Sequence, residues 1–549
     1  MSGLESIKIS RKKFLFAIVA VLLVTLSNWF YKYKSRIKNI FGVKIAGSQQ
    51  GANVAAGHLI HQKFDTSHVS DILKYDYVIV GAGVSGLTAA RELEQKGIKN
   101  ILILELETQI GGNSQAQNSN TTKAPWGAHY LPIPNNDDVD LINFLRKHEI
   151  ITAFDAHNKP IYNEFYICHE PEERLFINGK WQEGLIPTFG ITAKFHEDFE
   201  RFHKLMEKYK FAKGNDGKFA FTIPLELSSR DSQFLELDKI TFSEFLEQHH
   251  LKNPFLDGYI NYCCKDDYGI HFQNTSAWAG IHYFASRRSL AANVESSAVL
   301  TWPEGNNFLV KCLQSELKHT HICTNSLVRQ IELDSSDVKI FFSDLTKQKH
   351  IQVSANKCIV AAPQFIRKKL LPNYFKNQET HGYSPWLVAN ITLHKNTLDA
   401  RLPLAWDNVL FNSESVGYVW AGNQSLQSKI NETVITFYIP LSTDASTADR
   451  IKAFKMNYEQ QVELVINELS KAHPNISRHI KKIDTWIWGH GMIAPQKSYI
   501  WDKRLKNYPN TIQEKIFFAH SDMSGISIFE EAFYQGTKAA RAALAYENK

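Results

Sequence analysis

The stretch Tyr75–Glu107, YDYVIVGAGVSGLTAARELEQKGIKNILILELE, constrains the fold of this chain more than any other. It holds strand, glycine turn, helix, strand and acid in the order that a dinucleotide-binding βαβ unit requires. Tyr77–Val80 is an apolar, β-branched run suited to a buried parallel strand. It leads into Gly81-Ala82-Gly83-Val84-Ser85-Gly86, where Gly81 permits the tight turn, Gly83 lets a pyrophosphate approach the backbone, and Gly86 lets the helix pack close to the strand. Val84 and Ser85 open that helix, so its free N–H groups and positive dipole end point at the phosphates. Leu87, Ala90 and Leu93 face the sheet, and Gly97 stops the helix. The second strand, Ile101–Leu104, ends in Glu105, whose carboxylate is placed to accept hydrogen bonds from a ribose diol.

A chain of 549 residues exceeds one core and predicts two or three domains, some discontinuous in sequence. The net charge of +6 is not spread over it, because residues 1–40 alone contribute +7. The body is therefore near neutral, which argues against a nucleic-acid partner. The same N-terminal segment has an apolar run, Phe14–Phe30, between two basic flanks, near the lower length limit for a bilayer span. Trp29-Phe30-Tyr31-Lys32 reads as an aromatic-basic interface anchor, which favours an uncleaved membrane helix over a cleaved signal peptide. Ser10-Arg11-Lys12-Lys13-Phe14-Leu15 resembles a twin-arginine export signal with Lys in the second arginine's place. That points to a bacterial inner membrane with a periplasmic body, although the equal basic flanks fix no orientation. The six cysteines show no CxxC or metal-ligand spacing and read as buried thiols, and the 22 histidines include no HExxH, so no metal site is expected.

Past the βαβ unit the strand–helix alternation stops. Leu175–Trp181 reads as a hairpin around Asn178-Gly179. AKFHEDFERFHKLMEKYKF, ITFSEFLEQHH and SAWAGIHYFASRR read as helices, and the aromatic stripe of the first reads as core. Strand patterns resume with HICTNSLVRQIELD, KIFFSD and KCIVAAP, then LVANITL and TVITFYI suggest a second sheet followed by one long helix from Asp449 to Ala472. The chain closes with a buried strand, a polar-glycine turn and a small-residue helix, a second strand-to-helix turn facing the cofactor.

Together these segments resemble the flavin-containing amine oxidase superfamily, which includes monoamine and polyamine oxidases, protoporphyrinogen oxidase and phytoene desaturase. Glu105–Gly112 looks like its extended dinucleotide motif, with Gly111 and Gly112 as the twin glycines against the flavin side. Trp302–Leu309 is similar to the segment that returns to the FAD domain, Val328 falls where the family contacts adenine through its backbone, and Ile516–Asp522 resembles the C-terminal cofactor motif. The resemblance implies an α/β fold with a Rossmann-like FAD-binding domain and an interleaved α+β substrate domain, to which Phe14–Phe30 adds an N-terminal membrane anchor helix. The expected boundaries are an anchor over 1–45, a linker over 46–74, FAD-binding parts over 75–135, 291–372 and 491–549, and substrate parts over 136–290 and 373–490.

The departures are specific. Asn113 stands where relatives carry Arg, and Phe518-Ala519-His520-Ser521-Asp522 replaces FAGD or FAGE, so Ser521 or Asp522 takes the carboxylate's role. Ala389 or Asn390 occupies the place of the flavin-facing Lys. Ile528 stands at one position of the aromatic substrate cage, which is otherwise not evident. No Cys lies near Lys497–Trp501, so the FAD is expected to be non-covalent. His129 and His490 are the candidate proton-transfer residues. The reading is an FAD-dependent oxidoreductase acting on a C–N or C–H bond of a small or membrane-associated substrate, with a membrane quinone as candidate acceptor. The alternatives are a lipid desaturase or isomerase, and a flavin-binding membrane protein without turnover.

Overall fold

The computed structural model describes residues 37–40, 43–117, 123–334, 336–375, 381–394, 398, 402–424, 432–502 and 510–546. Two large sheets carry the architecture. In the eight-stranded sheet, Thr320–Cys323, Ile101–Leu104, Asp71–Val80 and Lys349–Val360 run parallel side by side, and Ile516–Phe518 joins the last of them. Val338–Asp344 and Ser326–Leu333 extend it as antiparallel strands. The near-continuous apolar runs follow from burial on both faces. Tyr77, Ile79, Ile101 and Ile103 pack under the helices Val84–Gln95 and Phe529–Ala545, while Val78, Val80, Leu102 and Leu104 pack against the antiparallel layer. The two helices cross closely because Gly536 faces Ser85, where a Cβ would fall 2.3 Å from the Ser85 carbonyl oxygen.

The nine-stranded sheet runs Ile37–Ile40, Val43–Gly51, Ile480–Ile493, Tyr383–His394, Glu432–Pro440, Gly417–Trp420, Asp407–Leu410, Glu173–Ile177, Lys180–Glu183. Leu387, Ala389, Ile391 and Leu393 face a core beneath the helices Thr447–Lys455 and Tyr458–Ser470. Trp386 and Val388 point the other way, with Tyr438 and Trp486, toward Trp126 of the dinucleotide half. A third, helical core centres on Ala193–Phe211 and Ala277–Ala285, where Phe195, Phe199, Phe202 and Trp278 are buried.

Three sequence expectations need correction or restriction. Residues 46–74 are not a free linker: Val43–Gly51 pairs in parallel with Ile480–Ile493, and the chain is back in the other sheet from Asp71. The helix expected from Asp449 to Ala472 is two, because Asn457 is extended and caps the second helix, exchanging hydrogen bonds with Gln460 at 2.9 and 3.0 Å. Phe14–Phe30 lies outside the described residues. Among the described residues no helix is long and apolar enough to cross a membrane.

Candidate functional site

The parallel strands end together, and their C-terminal turns form the crevice in which open α/β sheets bind ligands. Gly81 has φ +102°, and a Cβ there would fall 2.9 Å from the Ala361 carbonyl oxygen. At Gly86 a Cβ would fall 2.0 Å from the Gly81 carbonyl oxygen, so strand and helix meet only through glycine. Gly83 precedes the helix without a capping side chain, leaving the first-turn N–H groups of Val84 and Ser85 to a ligand. The Ser85 hydroxyl is already used, donating to Ala532 at 2.8 Å.

The twin glycines close over this turn. Gly111 N–H donates to the Ala82 carbonyl at 2.8 Å, and a Cβ at Gly112, which has φ +56°, would lie 3.3 Å from Gly83 Cα. Glu105 is buried at the end of its strand, accepting from Ala82 N–H at 2.6 Å and Glu107 N–H at 2.9 Å. Burial pushes its carboxyl up to about 7 against those bonds. Val328 sits at a bulge in Ser326–Leu333, which sets the neighbouring Arg329 out of the ladder. The described residues fit a dinucleotide: a glycine cradle at a helix start, with the buried acid Glu105 and the irregular strand edge at Val328 as groups that could hold its adenosine half.

At the C-terminal turn the two candidate residues separate. The Asp522 carboxylate is buried and turned inward, accepting from Gln364 N–H at 3.0 Å and the Tyr383 hydroxyl at 2.5 Å, with His520 Nδ1 at 3.2 Å. Ser521 is buried beside it, and its carbonyl accepts from the Ser524 hydroxyl at 2.7 Å. Asn113, in the arginine's place, donates to the Gly491 carbonyl at 2.6 Å and so ties the twin-glycine turn to the second sheet.

The two histidines are not brought together. His129 stacks on Tyr438 at 4.6 Å beside Tyr130 and Trp406, whereas His490 stacks on Phe365 at 4.0 Å beside Tyr383. Burial pushes each imidazole down to about 4, so both are neutral at pH 7. Ala389 and Asn390 point to opposite faces of their strand. Ala389 faces the core under the helices, and Asn390 faces the dinucleotide half, donating to the Pro125 carbonyl at 3.2 Å and accepting from Thr436 at 2.8 Å.

Sequence reasoning missed the most distinctive part of the site. Beside His129 the Tyr130 hydroxyl donates to Asp266 at 2.9 Å, and the Tyr262 hydroxyl donates to Asp407 at 2.8 Å. Burial raises both carboxyls, Asp266 to about 6, and it raises Asp267 to about 7. Asp407 is pushed further by Glu173 and Asp266. Arg287, paired with Glu530 at 3.2 Å, faces Asp267 and Asp266. The walls are aromatic: Trp386, Trp406, Tyr438 and Trp486 form one cluster with Tyr130 and Tyr262, and the indole N–H groups of Trp386 and Trp486 have no partner among the described residues. So an aromatic enclosure exists although Ile528 is not part of it. A cavity of about 230 Å³ lies against Tyr262, lined also by Leu175, Tyr259, Lys265 and Phe411. The signal in the sequence was the adjacent Asp266-Asp267 pair in the aromatic-rich helix Pro254–Tyr268, and Asp407 heading a short buried strand.

These raised carboxyls fix a pH dependence. Asp266 and Asp267 bind protons more tightly folded, near 6 and 7, than at their ordinary 3.8, so their contribution favours the fold increasingly as pH falls from above 7 toward 4. Thermal melts of Asp266→Asn over that range should gain less on acidification than the wild type. Equal gains would mean that Asp266 titrates as an ordinary exposed acid.

The chain as a whole is similar to known proteins. The family model for flavin containing amine oxidoreductases matches residues 84–544. Over 96 residues the chain is 29% identical to Polyamine oxidase 7 of Oryza sativa subsp. japonica, covering 17% of this chain and 20% of that protein. Over 72 residues it is 35% identical to UDP-galactopyranose mutase of Mycoplasma pneumoniae, covering 13% of this chain and 18% of that protein. The matches thus span about a fifth of these curated relatives' length. In three dimensions the chain is similar to putrescine oxidase bound to putrescine, with TM-score 0.61, 15% identity, and 86% and 100% of the two chains covered. Cyclohexylamine oxidase from Brevibacterium oxydans gives TM-score 0.59 and 13% identity over 86% and 100%. A fatty acid isomerase from P. acnes gives 0.55 and 16% over 84% and 97%. At these identities the likenesses show the fold.

Proposed function

The chain belongs to the flavin-containing amine oxidoreductases and uses non-covalently bound FAD, and from that premise we propose that it oxidises a cationic amine held by Asp266 and Asp407. The observation that carries this reading is the pair of desolvated acids, each accepting from a tyrosine, among the aromatic side chains around His129. An ammonium entering there finds opposite charge and ring faces, both of which strengthen as water is excluded. FAD, when bound, supplies the two-electron acceptor for the carbon next to nitrogen.

The chain's own groups do the rest. Tyr130 and Tyr262 orient the two carboxylates, and Trp406 and Tyr438 exclude water. An ionised Asp266 can hold the substrate's ammonium and take its proton. His129 is neutral and can accept a hydrogen bond from the amine in turn. A long apolar substrate, as a lipid desaturase or isomerase would require, has no use for this acid pair. The reading without turnover loses its support from Asn113, whose amide serves the contact with Gly491.

The test is anaerobic bleaching of the bound flavin with alkyl mono- and diamines, compared with the matching alcohols. Amines should bleach it, faster as pH rises through 6 to 7 where Asp266 ionises. Bleaching by neutral lipid extracts alone would overturn the proposal.

The proposal has two further elements, a membrane anchor and a quinone acceptor. Phe14–Phe30 with its basic flanks supports a membrane anchor, and Asn390 brings no positive charge to the face where relatives keep Lys, which supports slow reaction with oxygen and a quinone acceptor. Removing residues 1–36 should release the protein from membranes through alkaline wash and uncouple it from membrane quinone, leaving amine bleaching intact. Rapid, stoichiometric peroxide formation by the full chain would overturn the quinone element.

A further inference from the structure

Residues 43–70 precede the family match, which begins at residue 84, and neither the phosphate cradle nor the acid pair Asp266 and Asp407 uses them. Their path is nevertheless defined by specific bonds. Val43–Gly51 is held in the second sheet, where Ser48 N–H donates to Asp484 at 3.2 Å. The chain then crosses to the dinucleotide half. Asn53 N–H donates to both carboxylate oxygens of Glu107, at 2.9 and 3.1 Å. Gly57 lies against Leu106, since a Cβ there would be 3.5 Å from Leu106 Cδ2, and Ile60 packs on the apolar layer that contains Val328. The Gln62 carbonyl accepts from the Arg329 guanidinium at 3.2 Å, and that guanidinium lies 5.0 Å from the Phe64 ring centre. Phe64 also meets His350 edge-on at 5.0 Å, and Ser70 N–H donates to the His350 carbonyl at 2.9 Å.

The two clamps on this path sit at informative places. Glu107 is two residues beyond Glu105 and donates its own N–H to the Glu105 carboxylate. Arg329 is the bulge residue next to Val328. One clamp therefore adjoins the ribose position and the other the adenine position, and the segment runs between them. We propose that residues 52–64 form the outer wall of the site for the adenosine half of FAD and hold the cofactor by slowing its release. The proposal rests on the FAD reading above. Its physical basis is that release requires the segment to lift, which breaks a charge-assisted bond pair at one end and a guanidinium–carbonyl bond with its ring contact at the other.

The experiment uses the full chain loaded with FAD. After dilution, the rise of free-flavin fluorescence gives the release rate for the wild type, Arg329→Ala, Glu107→Ala and the exposed control Glu332→Ala on the same strand as Arg329. Each clamp variant should release FAD about tenfold faster, and the control at the wild-type rate. Glu107→Ala adjoins Glu105, so hydrogen exchange supplies an independent reading. FAD should slow exchange of the amides of residues 53–64, and FMN, which lacks adenosine, should not. Wild-type release from both clamp variants, or exchange over 53–64 indifferent to FAD, would overturn the inference while leaving an amine-bleached flavoprotein in place. A chain that takes up no FAD would overturn the FAD reading and this one together.

Discussion

Gly83→Val should give a folded, colourless protein, and Gly86→Val should give no folded protein at all. The two glycines lie three residues apart in one motif, yet the space around them differs. Gly83 has φ −72°, a conformation open to any residue, and a Cβ there meets only Gly112 Cα at 3.9 Å, an ordinary contact. The branched methyls of Val would occupy the gap between the facing glycine turns, which is where a pyrophosphate must approach the backbone. FAD affinity should fall at least about 100-fold, or about 3 kcal/mol, with the melting temperature of the apoprotein little changed. At Gly86 the same Cβ would lie 2.0 Å from the Gly81 carbonyl oxygen, an overlap that only separation of helix and strand relieves. Such a backbone clash belongs to the rare class costing more than about 4 kcal/mol. Flavin absorbance and thermal melts on both variants are sufficient. A yellow Gly83→Val protein with unchanged affinity would show that the phosphates do not enter between the glycine turns.

That contrast also explains what was legible in the sequence. Gly81, Gly83, Gly86, Gly111 and Gly112 announce themselves because a tight turn or close approach restricts the residue type locally, and because strand and helix follow within a short window. Glu105 is tied to that window by chain spacing. The acid pair has no such local signature. Asp266 comes from a helix and Asp407 from a strand, and only the tertiary fold places them around Tyr130 and Tyr262. Ala389 and Asn390 were indistinguishable in sequence for a related reason: in a strand buried on both faces both positions read as interior, while a shift of one residue exchanges the faces. The strand Val43–Gly51 was hidden by its Gly, Ser and Gln content. Its place depends on the open edge of Ile480–Ile493, far away in the chain.

Asp266→Asn and Asp407→Asn should separate activity from stability in opposite directions. Each replacement keeps the shape of the side chain and an oxygen for its tyrosine, so the bonds of 2.9 Å from Tyr130 and 2.8 Å from Tyr262 can persist. What is lost is the charge. If that charge holds the substrate's ammonium, removing it leaves a buried cation without its partner, which costs about 2–5 kcal/mol. The efficiency of flavin reduction by amine should therefore drop from about 30-fold to several thousand-fold, mainly through weaker substrate binding, with FAD content unchanged. The effect on the free protein runs the other way. Burial raises both carboxyls, so each is a group the empty fold tolerates poorly when ionised. An amide carries no such penalty, and the melting temperature at neutral pH should stay level or rise. Had these acids been retained for structure, as paired ions that hold the helix Pro254–Tyr268 to the strand Asp407–Leu410, the same variants would melt lower and lose amine and alcohol responses alike. Stability held or raised while amine turnover falls separates an acid that receives a cation from one that holds the helix to the strand.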